Sequence, residues 1–178
     1  FSGLVKSIEQ GGKKLISSQI MPQIWRAPTD NDMYIKNEWQ QAGYEKAHVI
    51  PGSCEITERG GAFVKIATTM KIGAPAKKPV LTADVCYTIN ADTSVEFEFV
   101  VKVRENLPPL PRFGVQFEMP TGMEKLSYYG KGPYESYVDK CHASYEDVFE
   151  TSVTEHFEHY VRPQENMAHS GTKWMQVV

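Results

Sequence analysis

The fold class is decided by the stretch Ser94-Val95-Glu96-Phe97-Glu98-Phe99-Val100-Val101-Lys102-Val103-Arg104. Every second residue from Val95 to Val101 is apolar, and glutamates, a valine and a lysine alternate with them. Successive side chains of a β-strand point to opposite faces of the sheet, so this alternation predicts a strand with one buried face.

Further segments of strand character lie on both sides of this stretch and are separated by turn residues. They cover residues 1–8, 14–20, 50–57, 62–72, 80–89, 112–119 and 126–130. Gln10-Gly11-Gly12-Lys13 predicts a hairpin turn, and Pro51-Gly52 predicts an edge strand or a bulge. Three prolines make 106–111 a rigid connector. The chain is therefore predicted to be all-β, an antiparallel β-sandwich with one short helix near 38–45.

Composition limits the classes of function. The chain has 178 residues, is 41% hydrophobic and 23% charged, and carries a net charge of −3. It can bury a core, but it offers no basic field for nucleic acid and no apolar run long enough for a membrane helix. The length allows a single domain over residues 1–178, or a piece of one. The sequence does not indicate the cellular compartment, and cytoplasm and periplasm both stay open.

The cysteines Cys54, Cys86 and Cys141 are expected to behave as small buried apolar residues.

A polar, turn-rich stretch precedes the helix: Trp25-Arg26-Ala27-Pro28-Thr29-Asp30-Asn31-Asp32. Pro28 favours an extended entry, and the three residues from Asp30 favour a turn. A buried arginine needs a carboxylate, so we predict that Arg26 is buried and paired with Asp30, Asp32 or Glu165. From these residues alone, a structural clamp and a binding site both remain possible.

This stretch resembles the W-R-A-P-x-D-N-D signature in the C-terminal domain of large bacterial β-galactosidases of glycoside hydrolase family two. Two later stretches resemble motifs of the same domain in the same order. Gly132-Pro133-Tyr134-Glu135-Ser136-Tyr137-Val138-Asp139-Lys140 is similar to G-P-x-E-x-Y-x-D-R. Arg162-Pro163-Gln164-Glu165-Asn166, followed by Gly171-Thr172-Lys173-Trp174, is similar to R-P-x-E-N with a strand behind it.

The resemblance implies a supersandwich similar to the galactose mutarotase fold, and residues 1–178 are expected to be a single sandwich domain, incomplete and cut from a multidomain enzyme. That parent enzyme would hydrolyse terminal β-D-galactosides. The two catalytic glutamates of that family belong to a separate (β/α)-barrel, so no catalytic residue is expected here. The loop after D-N-D reaches the active-site mouth in the family and would be residues 33–37 here. Some relatives carry glycine where this chain has Tyr34, and the family's galactose-stacking aromatic residue lies beyond Val178.

The resemblance also implies candidate site residues and partners. The residues expected to form a structural clamp or an active-site rim are Arg26, Asp30, Asn31, Asp32, Met33, Tyr34, Arg162, Glu165 and Asn166. We further predict that 25–32 and 162–166 meet in space, with both arginines sharing the nearby carboxylates and with Asn31, Asp32 and Asn166 exposed. No cofactor is expected here, although the parent could hold Mg and Na in other domains. The expected partners are those other domains, a galactoside at their interface and possibly further copies of the chain, but neither nucleic acid nor membrane.

The residues also suggest two other chemistries. On an extended strand the Cα atoms of Asp30 and Asp32 would lie about 6.5 Å apart on one face, within the range of glycosidase carboxylates. The resemblance argues against that role. His156 and His159 are three residues apart, which could serve a metal on a helix, but solvated or aromatic-packed histidines are favoured.

Two further classes of function stay open at this point. A carbohydrate-binding module would need Trp25, Trp39, Tyr134 or Tyr137 to share an exposed face. A mutarotase-like epimerase would need a glutamate and a histidine, His156 or His159, converging in one cleft.

Overall fold

The computed structural model describes residues 2–162 and 164–178. Phe1, which opens the first predicted strand, and Pro163, which belongs to the third motif, lie outside the described residues. The described part is mostly β, with antiparallel sheets and one short α-helix, as predicted. Its strands are β1 Glu9–Gln10, β2 Lys13–Lys14, β3 Met21–Gln23, β4 His48–Arg59, β5 Phe63–Gly73, β6 Leu81–Asn90, β7 Val95–Val103, β8 Gly114–Gln116, β9 Lys125–Gly132, β10 Tyr145–Ser152 and β11 Trp174–Val177.

The central sheet has four antiparallel strands in the order β4-β5-β6-β7. The fold-deciding stretch forms β7, whose alternate residues Phe97, Phe99 and Val101 pack on the core. Phe97 contacts Tyr87 of β6 edge to face, with ring centroids 5.4 Å apart. The alternation therefore predicted both the strand and its buried face correctly.

Strand β4 lies at the edge of this sheet and is irregular where Pro51 and Gly52 occur. Its pairing register with β5 shifts between Pro51 and Cys54, so the predicted edge and the predicted bulge are both confirmed. A Cβ atom at Gly52 would lie 2.3 Å from Thr69 Oγ1, so the close approach of the two strands here requires glycine.

Three smaller sheets surround the central one. β1 and β2 form the predicted hairpin around Gly11-Gly12, β3 pairs with β8, and β10-β9-β11 form a three-stranded sheet. The predicted strands at 1–8 and 14–20 are wrong for the described residues, which contribute only the short β1–β2 hairpin and then β3. The backbone of the predicted first strand makes single hydrogen bonds instead of a ladder. The Gly3 carbonyl accepts from the Tyr87 hydroxyl, and the Val5 carbonyl accepts from the Ile20 N–H.

The helix α1 spans Ile35–Ala42, which is earlier than the predicted 38–45. Gly43 ends it in the left-handed conformation with φ of 87°, and its N–H donates to the carbonyls of Trp39 and Gln40. Short 3₁₀ turns at Asp30–Asp32 and Tyr44–Lys46 flank the helix. No helix within the described residues is both long and apolar enough to span a bilayer.

The core lies between α1 and the central sheet, with Ile24, Trp39 and Tyr44 against Met70, Leu81 and Val85 and their neighbours. The proline-rich connector 106–111 crosses this core, and three side chains donate to its carbonyls. Tyr44 donates to Pro108 over 2.6 Å, Trp39 to Pro109 over 2.9 Å and Arg26 to Pro111 over 3.4 Å. The connector is therefore held by side chains rather than by a sheet ladder.

The three cysteines are free thiols and do not lie in the core. Cys54 is exposed on the edge strand, whereas Cys86 and Cys141 are half-buried. The expectation of buried cysteines is wrong, because these positions fall on outward faces of strands or in a loop.

Candidate functional site

Arg26 is the centre of a cluster built from the first polar stretch. Its guanidinium makes a bidentate contact with Asp32, with Nη2 donating to Oδ1 over 2.9 Å and Nη1 donating to Oδ2. Asp32 also accepts from the backbone N–H of Thr29 over 2.7 Å and from its hydroxyl over 3.0 Å. The 3₁₀ turn at Asp30–Asp32 thus aims one carboxylate back at Arg26, and Asp32 is buried.

A second carboxylate joins Arg26 from the far end of the chain. Glu165 lies 3.4 Å from Arg26 Nε and 2.9 Å from Arg112 Nη1. The Arg26 guanidinium also lies over the ring of Trp39, 5.3 Å from its centroid. The predicted pairing of Arg26 is therefore confirmed for Asp32 and Glu165, but Asp30 takes no part in it. Arg26 is half-buried and not buried as predicted.

The ionisation of Asp32 follows from these contacts. Burial disfavours the charged carboxylate, but the hydrogen bonds from Arg26 and Thr29 outweigh that penalty, so the pKa of Asp32 is lowered. The same hydrogen bond to Asp32 raises the pKa of Arg26. Both groups are therefore charged at neutral pH and hold each other as an ion pair.

All three motifs of the sequence meet around one pocket of about 370 Å³. The Asp30 N–H donates to Gln164 Oε1 over 3.1 Å, and Asn31 Nδ2 donates to Asp139 Oδ2 over 2.8 Å. The pocket is lined by Arg26, Thr29, Asp30, Asn31, Asp32, Glu135, Tyr137, Asp139, Lys140, Tyr160, Gln164 and Glu165. The predicted meeting of 25–32 with 162–166 is confirmed.

Glu135 anchors the second motif to the wall of this pocket. Its carboxylate accepts from Lys140 Nζ over 2.6 Å, from the Met167 N–H over 3.1 Å and from the Tyr160 hydroxyl. Tyr137 donates to the Glu165 carbonyl over 3.2 Å. Burial, together with the negative charges of Glu135 and Glu165, raises the pKa of Tyr137 to about 12, so this phenol stays neutral.

The remaining predicted site residues have mixed outcomes. Met33 and Tyr34 follow the pocket residue Asp32 in the chain and are 55% and 82% exposed, but neither lines the pocket. The expected exposure of Asn166 is wrong, because it is half-buried and donates to the Glu158 carbonyl. Asn31 is exposed as expected, but the expected exposure of Asp32 is wrong, because Arg26 and Thr29 cover its carboxylate.

The second arginine of the cluster is Arg112, although Arg162 was expected. Arg112 follows the proline connector, donates to the Trp25 carbonyl over 2.8 Å and pairs with Glu165, so it takes the place predicted for Arg162. The site residues predicted from the sequence also did not include four residues that line the pocket, Glu135, Tyr137, Asp139 and Lys140. These four residues belong to the second of the three motifs on which the family resemblance rests. That motif could therefore have indicated them.

The candidate histidines pack against other rings, and His156 shares a cleft with Glu135, Glu150, Glu155 and Glu158. His156 stacks on His169 with ring centroids 4.5 Å apart, and His159 packs edge-on against Phe157, so the prediction of aromatic-packed histidines is confirmed. Within residues 2–162 and 164–178, no three His, Cys, Asp or Glu side chains converge as metal ligands.

A carbohydrate-binding face would need the candidate rings to be exposed together. Trp39 is buried and meets Trp25 edge to face, whereas Tyr134 is 68% exposed. Tyr137 is half-buried in the pocket wall. The rings therefore do not share one exposed face.

Comparison with known proteins decides the family. The family model described as "Beta galactosidase small chain" matches residues 1–178. The chain belongs to this family. It is 34% identical over 98% of its length to the β-galactosidase of Actinobacillus pleuropneumoniae, and 34% identical over 97% to that of Staphylococcus xylosus. The β-galactosidase of Lactobacillus delbrueckii subsp. bulgaricus is 31% identical over 96% of the chain.

The match covers a small part of each relative. The chain spans 17% of the length of each of these three β-galactosidases. It therefore corresponds to a partial domain of a larger β-galactosidase, which implies other domains. The resemblance drawn from the three motifs is confirmed.

Proposed function

We propose that this chain is a non-catalytic part of a β-galactosidase that hydrolyses terminal β-D-galactosides, and that its pocket face supports and rims an active site on a separate barrel domain. A galactoside would then meet this face at the domain interface. The relatives are named β-galactosidases, which supports the reaction, and their greater length leaves room for the catalytic domain.

The observation that carries the non-catalytic role is the engagement of the pocket carboxylates. A retaining glycosidase needs two carboxyl groups about 5–5.5 Å apart, one free to attack and one free to give a proton. Asp32 is committed to Arg26, Glu165 to Arg26 and Arg112, and Glu135 to Lys140 and Tyr160. These ion pairs stabilise the wall and engage three of the five lining carboxylates; of the other two, Asp139 accepts from Asn31 and Asp30 is exposed.

The residues that follow the 3₁₀ turn at Asp30–Asp32 favour the proposal that this face forms the rim of the active site. Met33 and Tyr34 directly follow the pocket residues Asp30–Asp32 in the chain and present apolar surface to solvent. Exposed apolar side chains at a polar edge are typical of a surface that meets another domain or a ligand. We place the galactoside-facing contact at these two residues.

The first test compares the purified chain with the full-length enzyme on a chromogenic β-galactoside. We expect turnover by the full-length enzyme and none by the chain above a mock preparation, because three of the five pocket carboxylates are already engaged in ion pairs. Turnover by the chain that disappears in Asp30→Asn or Asp32→Asn would show that the catalytic pair lies here after all.

The second test addresses the rim in the full-length enzyme. Tyr34→Ala is expected to raise KM several-fold with kcat within about twofold of wild type, the signature of lost binding rather than lost transition-state contacts. Tyr145→Ala serves as a matched control, because Tyr145 is also an exposed tyrosine but lies on β10. Equal kinetics for Tyr34→Ala and wild type would remove the rim proposal and leave the non-catalytic role untouched.

A further inference from the structure

A second cleft of about 640 Å³ lies next to the pocket and holds two histidines that the proposed function does not use. His156 belongs to the turn after β10, and His169 precedes β11. Their Nε2 atoms face each other within hydrogen-bond distance. Tyr128 of β9 packs on both rings, with its centroid 4.4 Å from that of His169 and 5.7 Å from that of His156.

The hydrogen bonds fix where the protons lie in the neutral pair. His169 Nδ1 is 2.7 Å from the Lys131 carbonyl, so Nδ1 carries a hydrogen and donates it. Neutral His169 then has a lone pair on Nε2, and His156 must supply the hydrogen on its own Nε2. The neutral state is therefore one N–H···N bond between the two rings.

One added proton fits this arrangement, but two do not. A proton on His156 Nδ1 leaves the N–H···N bond intact and makes it charge-assisted. A second proton would have to enter the bond itself, and two N–H groups would then point at each other on two stacked cations. The doubly protonated pair cannot keep the observed contact.

We propose that His156 and His169 form an acid-sensitive latch, which stays closed with no proton or one proton added and opens when both rings are protonated. The latch holds the turn 153–160 against the segment 164–170. This turn also carries Tyr160, which donates to Glu135 and lines both clefts. Opening therefore loosens a wall of the pocket that we assign to the galactosidase interface.

Other groups around the latch do not supply this response. The charged and titratable residues that line the same cleft are Tyr128 on β9, Tyr134, Glu135 and Lys140 in the loop after it, Glu150 on β10, and Glu155, Glu158 and Tyr160 in the turn. Carboxyl groups normally titrate near pH 4 and tyrosine and lysine near pH 10, so histidines dominate between pH 7.5 and 5. Burial and the neighbouring His169 lower the pKa of His156, in the direction that the latch requires.

The sign of the pH effect follows from proton counting. The open state can bind one more proton than the closed state, so closure weakens as pH falls below the ordinary histidine pKa of about 6.5. Above that pH, the closed state keeps its full stability relative to the open state. Below it, the equilibrium constant for opening rises about tenfold for each pH unit when the closed pair holds one proton, and about a hundredfold while the closed pair is still neutral.

Hydrogen exchange of the full-length β-galactosidase, read by mass spectrometry on peptides covering 153–160, tests the latch. The reporting amides include those of Val153 and His156, which donate to Glu124 and Ser152. After correction for intrinsic exchange, protection is expected to fall about ten- to a hundredfold per pH unit between about pH 6.5 and 5. Constant protection over this range would overturn the proposal.

Two glutamine variants separate the latch from general acid effects. In His156→Gln, the carboxamide can turn its NH₂ or its carbonyl towards His169, so it keeps the bond in either protonation state. Protection in this variant should not change with pH. His159→Gln replaces an exposed histidine of the same turn and should keep the wild-type response. A His156→Gln variant that loses protection as the wild type does would also overturn the latch.

Discussion

Replacing Arg26 by alanine is expected to destabilise the chain by about 3–5 kcal/mol, the usual cost of breaking one side of a buried ion pair. The side chains of Arg26, Asp32 and Glu165 are only 17%, 11% and 15% exposed. Without the guanidinium, Asp32 would remain as a buried charge held by Thr29 alone, and Glu165 would keep only Arg112. The loss should therefore exceed the roughly 0–1 kcal/mol of an exposed pair.

Thermal unfolding measures this loss. For a chain of this size, the change corresponds to a fall in Tm on the order of 10 °C. Asp30→Ala is the matched control, because Asp30 lies in the same turn but is exposed and outside the ion pair, so its effect should stay within about 0.5 kcal/mol. Equal melting of Arg26→Ala and wild type would show that the clamp does not stabilise the fold.

The pH dependence of the same comparison provides a second check. The pKa of Asp32 is lowered in the folded chain, so its stabilising effect is fully present above its ordinary value of 3.8. That contribution is lost as pH falls through the lowered pKa. The difference in stability between wild type and Arg26→Ala should therefore shrink at low pH, since protonation relieves the unpaired Asp32 of the variant.

The strands that the sequence predicted well are those with one buried face. β5, β6 and β7 alternate because their inner residues pack on the core, and this alternation can be read directly from the order of the amino acids. β10 was missed, since most of Tyr145–Ser152 is exposed and its residues carry no alternating pattern. It is a strand because β9 pairs with it over its full length, which is a tertiary fact.

In the candidate site, too, local contacts could be predicted from the sequence and long-range contacts could not. Arg26 and Asp32 lie on one short stretch, so their pairing could be predicted from local turn chemistry. The choice between Arg112 and Arg162 as the second arginine depends on how the proline connector folds back over Trp25. The two side chains are chemically identical, and only the route of the chain distinguishes them.

The proline connector also explains why Trp39 matters to the site. Its indole N–H donates to Pro109, its ring meets Trp25 edge to face, and the Arg26 guanidinium lies over it. Proline lacks the N–H that a sheet ladder needs, so the connector depends on side-chain donors of this kind. Trp39 therefore joins the core, the connector and the ion-pair cluster at one point.

Trp39→Ala is accordingly expected to cost about 3–5 kcal/mol, the range for truncating a large buried aromatic residue. Thermal unfolding should show a fall in Tm on the order of 10 °C, while Trp174→Ala, at a tryptophan 45% exposed on β11, should lose much less. Because Arg26 lies over the Trp39 ring, the double variant with Arg26→Ala should lose less than the two single losses added together. Strict additivity, or equal losses for Trp39→Ala and Trp174→Ala, would mean that Trp39 does not position the arginine.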